Sequence, residues 1–136
     1  MVKVNPYLNF NGRCREAMEF YQQCLGGELL IQKLGESPMA AQMSSAAAEK
    51  ILHSYLSNGA YVLMASDMIG NKLEPGNSVG LCLNCNNETE IYSYFEKLSN
   101  GGQIRLNLHQ TFNGATYGEL TDKFGINWTL NFIRKN

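Results

Sequence analysis

Two histidines and a scatter of carboxylates supply most of the acid–base chemistry open to this 136-residue chain. His53 lies in "KILHSYL", a strand-like run where it alternates with Ile51 and Tyr55, so the three are expected on one face of a strand. An internal repeat, set out below, carries position 53 to Glu119 by an offset of 66 residues. If both side chains point inward, a carboxylate faces an imidazole across a cavity, one shifts the pKa of the other, and the pair can act as a general base. The structural alternative is a histidine hydrogen-bonded in a partly buried sheet and a glutamate in solvent. His109, in "LHQTFNGATYG", follows its strand and reads as a loop residue.

The remaining reactive side chains have plainer readings. Asp67 and Asp122 sit where turns begin, and a carboxylate there caps backbone N–H groups. Cys82 and Cys85 form a C-x-x-C inside "VGLCLNCNN", a strand-like stretch in which positions three apart point to opposite faces. A redox pair needs the motif at a helix start, and a zinc site usually needs a second pair; the sequence shows neither context. Trp128, with Tyr55, Tyr117 and Phe132, forms either an aromatic pocket or plain core. No G-x-S-x-G elbow, Walker phosphate loop or glycine-rich nucleoside turn is present, so hydrolase, kinase and nucleoside-cofactor readings have no anchor.

Composition sets the outer bounds. Hydrophobic residues make up 44% and charged residues 17%, with a formal net charge of -1. That balance describes a folded domain and disfavours nucleic acid as a partner. A small, roughly neutral ligand is the easier partner. No apolar run of about 18 residues exists to cross a membrane, and "MVKVNPYLNF" lacks a secretory apolar core, so the expected location is the cytoplasm.

The elements that must position these residues come in a repeated order. "VNPYLNF" has strand composition, Asn11 and Gly12 open a helix, and Ala17, Phe20, Tyr21 and Cys24 make its apolar stripe. Gly26 and Gly27 end the helix and "ELLIQKL" leaves extended. Residues 37–49, rich in Ala, Ser and Met, read as a surface loop or frayed turn; Met39 and Met43 there are a candidate lid or dimer contact. Two strand-like runs then join at "SNG". After the stretch 68–77 the order recurs: a strand, a capping box of Asn87 with Glu90, a stripe of Ile91, Tyr94, Phe95 and Leu98, the pair Gly101 and Gly102, an extended run, and a hairpin across "KFG". Gly27 and Gly102 stand 75 residues apart, and the hairpin glycines Gly59 and Gly125 stand 66 apart. The chain is thus two strand-helix-three-strand modules, about 1–67 and 78–136, joined by a linker at 68–77 into one domain. One module cannot bury both its helix stripe and its sheet face, whereas two can.

The ordered set "PYLNFNGRCREAMEFYQQCLGGELL", "ILHSYLSNGAYVLMASD" and "YGELTDKFGINWTLNF" resembles the PhnB-like branch of the glyoxalase, bleomycin-resistance and extradiol-dioxygenase superfamily, the vicinal oxygen chelate fold. The resemblance implies an α+β fold of two tandem βαβββ modules: a curved mixed sheet around a ligand cavity, helices outside, and commonly a homodimer. A methyltransferase label has been attached to this family by similarity. Catalytic members of the superfamily hold one divalent metal with His, Gln or Glu from the first and last strand of each module. The corresponding places here are Asn5 or Pro6, Leu63, the stretch 78–80, and Thr129, which are poor ligands for such an ion.

The leading expectation is therefore a cytoplasmic homodimer that binds a small organic molecule between its sheets, with Tyr55, Leu63, Tyr117, Trp128 and Thr129 lining the cavity and no metal or other cofactor. The alternative is an enzyme, a lyase, isomerase or dioxygenase. It would use a metal held by His53, Glu119 and Asp67, or metal-free acid–base catalysis by His53 with Glu119.

Overall fold

The computed structural model describes residues 2–134, and the chain divides into two compact units, Met1–Glu74 and Pro75–Asn136. The first unit runs β1 (Tyr7–Phe10), α1 (Cys14–Leu25), β2 (Glu28–Lys33), two 3₁₀ turns, the one-turn helix α2 (Ser45–Ala48), β3 (Ile51–Ser57) and β4 (Val62–Asp67). The second runs β5 (Leu81–Asn84), α3 (Glu88–Ser99), β6 (Gln103–Gln110), β7 (Ala115–Thr121) and β8 (Asn127–Ile133). Each unit holds one four-stranded mixed sheet, ordered β1-β4-β3-β2 and β5-β8-β7-β6. The first strand of each runs parallel to the last, and the other pairings are antiparallel. The fold is α+β.

Each helix buries the stripe read from its spacing, except that Tyr94 of α3 is only half-buried. Ala17, Phe20, Tyr21 and Cys24 are buried in α1, as are Ile91, Phe95 and Leu98 in α3. A fully buried side chain of the Phe or Leu class is worth about 1.5–3 kcal/mol, so these stripes are the main force holding helix to sheet.

The repeated glycine pairs have a steric reason. A Cβ on Gly27 would fall inside contact distance of the Ser57 carbonyl oxygen, and one on Gly102 inside that of Thr121. Gly27 also has φ +102°, a conformation that L side chains rarely adopt. In both units the strand leaving the helix must press against the third strand at this point, and only glycine is thin enough.

The two helix starts differ. In α3 the capping box forms locally: Glu90 N–H donates to Asn87 Oδ1, and Asn86 N–H donates to Glu90 Oε1, both at 2.8 Å. In α1 the expected opening at Asn11 and Gly12 gives way to a helix that begins at Cys14, whose N-cap, Arg13, makes no side-chain cap. The cap comes from Asp67, distant in sequence. Its Oδ1 accepts from Gly12 N–H at 2.8 Å and Cys14 N–H at 3.0 Å, and its Oδ2 accepts from Ile51 N–H at 2.9 Å.

Two further expectations are corrected. β6 continues through His109 to Gln110, because two register shifts let the strand keep pairing with β7, so His109 is a strand residue opposite Tyr117. The repeat offset in the third strand is 64 rather than 66: Glu28 pairs with Ser57, and its counterpart Gln103 pairs with Thr121. The hairpin glycines mislead because the second hairpin connection is one residue longer and carries its glycine at a different place. His53 therefore corresponds to Tyr117, and Glu119 corresponds to Tyr55.

Candidate functional site

Each sheet has one face packed on its own helix. In the first unit Cys14 Sγ of α1 lies 3.4 Å from Ser54 Oγ, which places Ser54 on the helix side. Alternation and cross-strand pairing put Leu56, Leu63 and Ala65 beside it. In the second unit Thr116 donates to Glu88 of α3 at 2.8 Å, and Gly118 lies against Phe95. Leu120, Trp128 and Leu130 share that side. What remains on the opposite, helix-free face is the set available to a ligand.

On the first sheet one helix-free row crosses all four strands as Leu30, Tyr55, Met64 and Tyr7. His53 sits beside it. Its Nδ1 is 3.4 Å from the Tyr7 hydroxyl, and its ring centroid is 6.3 Å from that of Tyr55. This surface is apolar and aromatic with one imidazole, and Leu30 is 68% exposed on it. Ile51, which alternation assigns to the same face as His53, is instead 1% exposed, at the end of β3 where pairing with β2 shifts register.

The matching row on the second sheet is Leu106, Glu119, Thr129 and Cys82. Next to it runs His109, Tyr117, Asn131 and Asn84. Tyr117 donates its hydroxyl to Glu119 Oε2 at 2.8 Å, while Arg105 holds Glu119 Oε1 at 3.2 Å. Arg105 reaches Glu119 because the first register shift of β6 falls at that residue. The hydrogen bond to Glu119, with burial second, raises the Tyr117 pKa above the ordinary tyrosine value. The His109 ring meets Tyr117 edge-on at 6.3 Å, and Asn131 Nδ2 donates to Asn84 Oδ1 at 3.3 Å. This face is a preorganised polar surface, with donors and acceptors fixed by one another.

Of the residues singled out in the sequence, Tyr55 lies on the helix-free face of the first sheet, and Tyr117, Glu119 and Thr129 lie together on that of the second. Leu63 and Trp128 do not join them; they are 4% and 3% exposed on the helix side, and Trp128 Nε1 donates to Asp122 Oδ2 at 2.9 Å. Parity separates them: each lies one residue from Met64 or Thr129, and one step along a strand reverses the face. His53 and Glu119 belong to different units, each with its own partners. Asp67 and Asp122 are buried acceptors of backbone N–H groups. Arg105, Asn84 and Asn131 escaped the sequence reading, which took His109 for a loop residue and Cys82 for an ordinary strand thiol. Alternation in "QIRLNLHQ" signals a longer β6, but the register shifts that bring Arg105 and His109 to the site leave no local trace.

The donor set does not fit the divalent ion implied by the superfamily. The strand-end places are Asn5, Pro6, Leu63, the stretch 78–80 and Thr129, flanked on the helix-free faces by Tyr7, Met64 and Cys82. Among the described residues no three of His, Cys, Asp and Glu are grouped so as to hold a metal. No helix among those residues is long and apolar enough to cross a membrane.

A family model described as 3-demethylubiquinone-9 3-methyltransferase matches residues 2–131. Protein YjdN of Escherichia coli is 30% identical over 97% of this chain and 96% of its own length. The crystal structure of PA1353 from Pseudomonas aeruginosa superposes with TM-score 0.89 at 35% identity, covering 99% of this chain and 100% of that one. A PhnB protein from Bacillus cereus, described as a 3-demethylubiquinone-9 3-methyltransferase, superposes with TM-score 0.79 at 25% identity over 96% of this chain and 99% of its own. In fold alone the chain is also similar to the fosfomycin resistance protein FosX of Listeria monocytogenes, with TM-score 0.67 at 9% identity over 100% of this chain and 94% of that one.

Proposed function

The chain belongs to the PhnB-like family, whose model is described as 3-demethylubiquinone-9 3-methyltransferase, and from that premise we propose that it binds a small organic molecule on the helix-free face of its second sheet without a divalent metal. The observation that carries this reading is the Arg105–Glu119–Tyr117 network beside Thr129 and Cys82. The internal ion pair cancels its own charge, so the surface suits a neutral or zwitterionic polar molecule.

Methyl transfer from a nucleoside-bearing donor has less support. At the first strand-to-helix turn, Gly12 and Cys14 already donate to Asp67, and at the second, Asn86 N–H donates to the Glu90 carboxylate while Glu90 N–H donates to Asn87. Acid–base catalysis by His53 and Glu119 would need Glu119 to exchange Tyr117 or Arg105 for substrate. The same proposal has the protein act as a cytoplasmic homodimer, its two modules working as one domain.

Native mass spectrometry of protein purified without chelator tests the proposal. The expected result is a dimer carrying a stoichiometric organic mass that is lost from Glu119→Gln and Tyr117→Phe. One metal ion per subunit, or a bound mass indifferent to both substitutions, overturns it.

A further inference from the structure

Beyond the ends of β5 and β8 the second unit has a groove of about 570 Å³ lined by Asn84, Cys85, Asn86, Asn131, Phe132 and Ile133. Asn84 and Asn131 are direct cross-strand partners in the parallel pair, so their carboxamides lie side by side at about 4.8 Å strand spacing. Their hydrogen bonds set which ends face outward. Asn131 Nδ2 donates to Asn84 Oδ1 at 3.3 Å, and the Cys82 thiol approaches the same oxygen at 3.8 Å. A carboxamide offers two acceptor sites and two donors. The Asn84 oxygen is thus engaged within the protein and its NH₂ is left for a ligand, while Asn131 keeps its own oxygen as an acceptor.

The lining holds no charged side chain, so an ion has no partner there. Ile133, 64% exposed, adds an apolar wall. In the first sheet the equivalent pair is Asn9 opposite Ser66, so two facing carboxamides occur in this module and are not repeated in the other.

We infer that this groove recognises the edge of a neutral amide, with Asn84 Nδ2 donating to the ligand carbonyl and Asn131 Oδ1 accepting from the adjacent ligand N–H. Carboxamides, lactams and lactam-containing rings present that edge. The inference rests on the reading of the helix-free face of the second sheet as a binding surface, and it adds the class of ligand.

The test is nitrogen-resolved NMR of the full chain titrated with benzamide and with uracil, against methyl benzoate, which lacks the N–H, and benzoate, which adds charge. Benzamide or uracil is expected to shift the side-chain NH₂ signals of Asn84 and Asn131 saturably; a response to only one of them tells an open-chain amide from a ring lactam. Methyl benzoate and benzoate should bind roughly tenfold more weakly, the loss expected when one hydrogen bond between protein and ligand is not made. Asn84→Asp, at an exposed position, should weaken benzamide and uracil by a similar factor with the unfolding midpoint unchanged. Equal binding of methyl benzoate, or no shift with either amide, overturns the inference. If an organic mass retained through Glu119 and Tyr117 is then still found, the amide class falls while the wider binding surface stands. If none is found, both fall.

Discussion

Replacing Asp67 separates a structural carboxylate from a functional one. The side chain is 4% exposed and accepts three backbone N–H groups, those of Gly12, Cys14 and Ile51. Asp67→Ala removes all three acceptors at once and leaves the first turn of α1 without its cap. An orphaned buried N–H costs about 1–3 kcal/mol; with two of the three well buried and the Gly12 bond partly exposed, the loss is on the order of 4 kcal/mol. That is a large share of the roughly 5–15 kcal/mol that holds a domain together. Asp67→Asn keeps one oxygen but turns an NH₂ toward a donor, and should cost about 2 kcal/mol. Urea unfolding reads the difference. With a slope of about 2 kcal/mol per molar, the midpoint should fall by about 2 M for Ala and about 1 M for Asn. The exposed Glu74→Ala should stay within about 0.5 kcal/mol of the parent. Hydrogen exchange at Gly12, Cys14 and Ile51 should accelerate in both Asp67 variants. Variants that unfold within 1 kcal/mol of the parent, with those three amides still protected, would refute this account of the helix start.

Three further outcomes follow from the same geometry. Tyr117 should ionise above the ordinary tyrosine value of 10.0 because it donates to Glu119. A raised folded pKa stabilises fully below the unfolded value and is lost as pH rises through the folded one, so Glu119→Gln should lower the pH of tyrosinate absorbance and weaken that alkaline dependence. Thiol labelling of the native protein should be fast at one cysteine only: burial pushes Cys14 up to about 11 and Cys85 up to about 12, Cys24 is buried, and Cys82 is exposed. Cys82→Ser should abolish the fast phase, and persistence of it would place a second thiol in solvent. Gly27→Ala and Gly102→Ala should each destabilise by about 2–3 kcal/mol through collision with a strand carbonyl, while Gly76→Ala, with open space around it, should be neutral in thermal unfolding.

How far the chain could be read depended on the range of the forces involved. The helix stripes, the capping box at Asn87 and Glu90, and the glycine pairs act within a few residues of one another, so spacing alone revealed the two-module repeat and with it the α+β class. That Tyr55, and likewise Tyr117, Glu119 and Thr129, lie on helix-free faces follows from alternation along a strand, which is local too. Leu63 and Trp128 were drawn to the wrong face by a one-residue ambiguity that only cross-strand register resolves. The cap of α1 comes from a carboxylate 53 residues away from Cys14, and no pattern near Arg13 announces it. The register shifts in β6 likewise exist only against β7, yet they bring Arg105 to Glu119 and His109 to Tyr117. Sequence determined which segments would be helix or strand and that they come twice. Tertiary pairing decided which side of each sheet stays open and which polar groups meet there, because a side chain's face and partner are set by the strand alongside it.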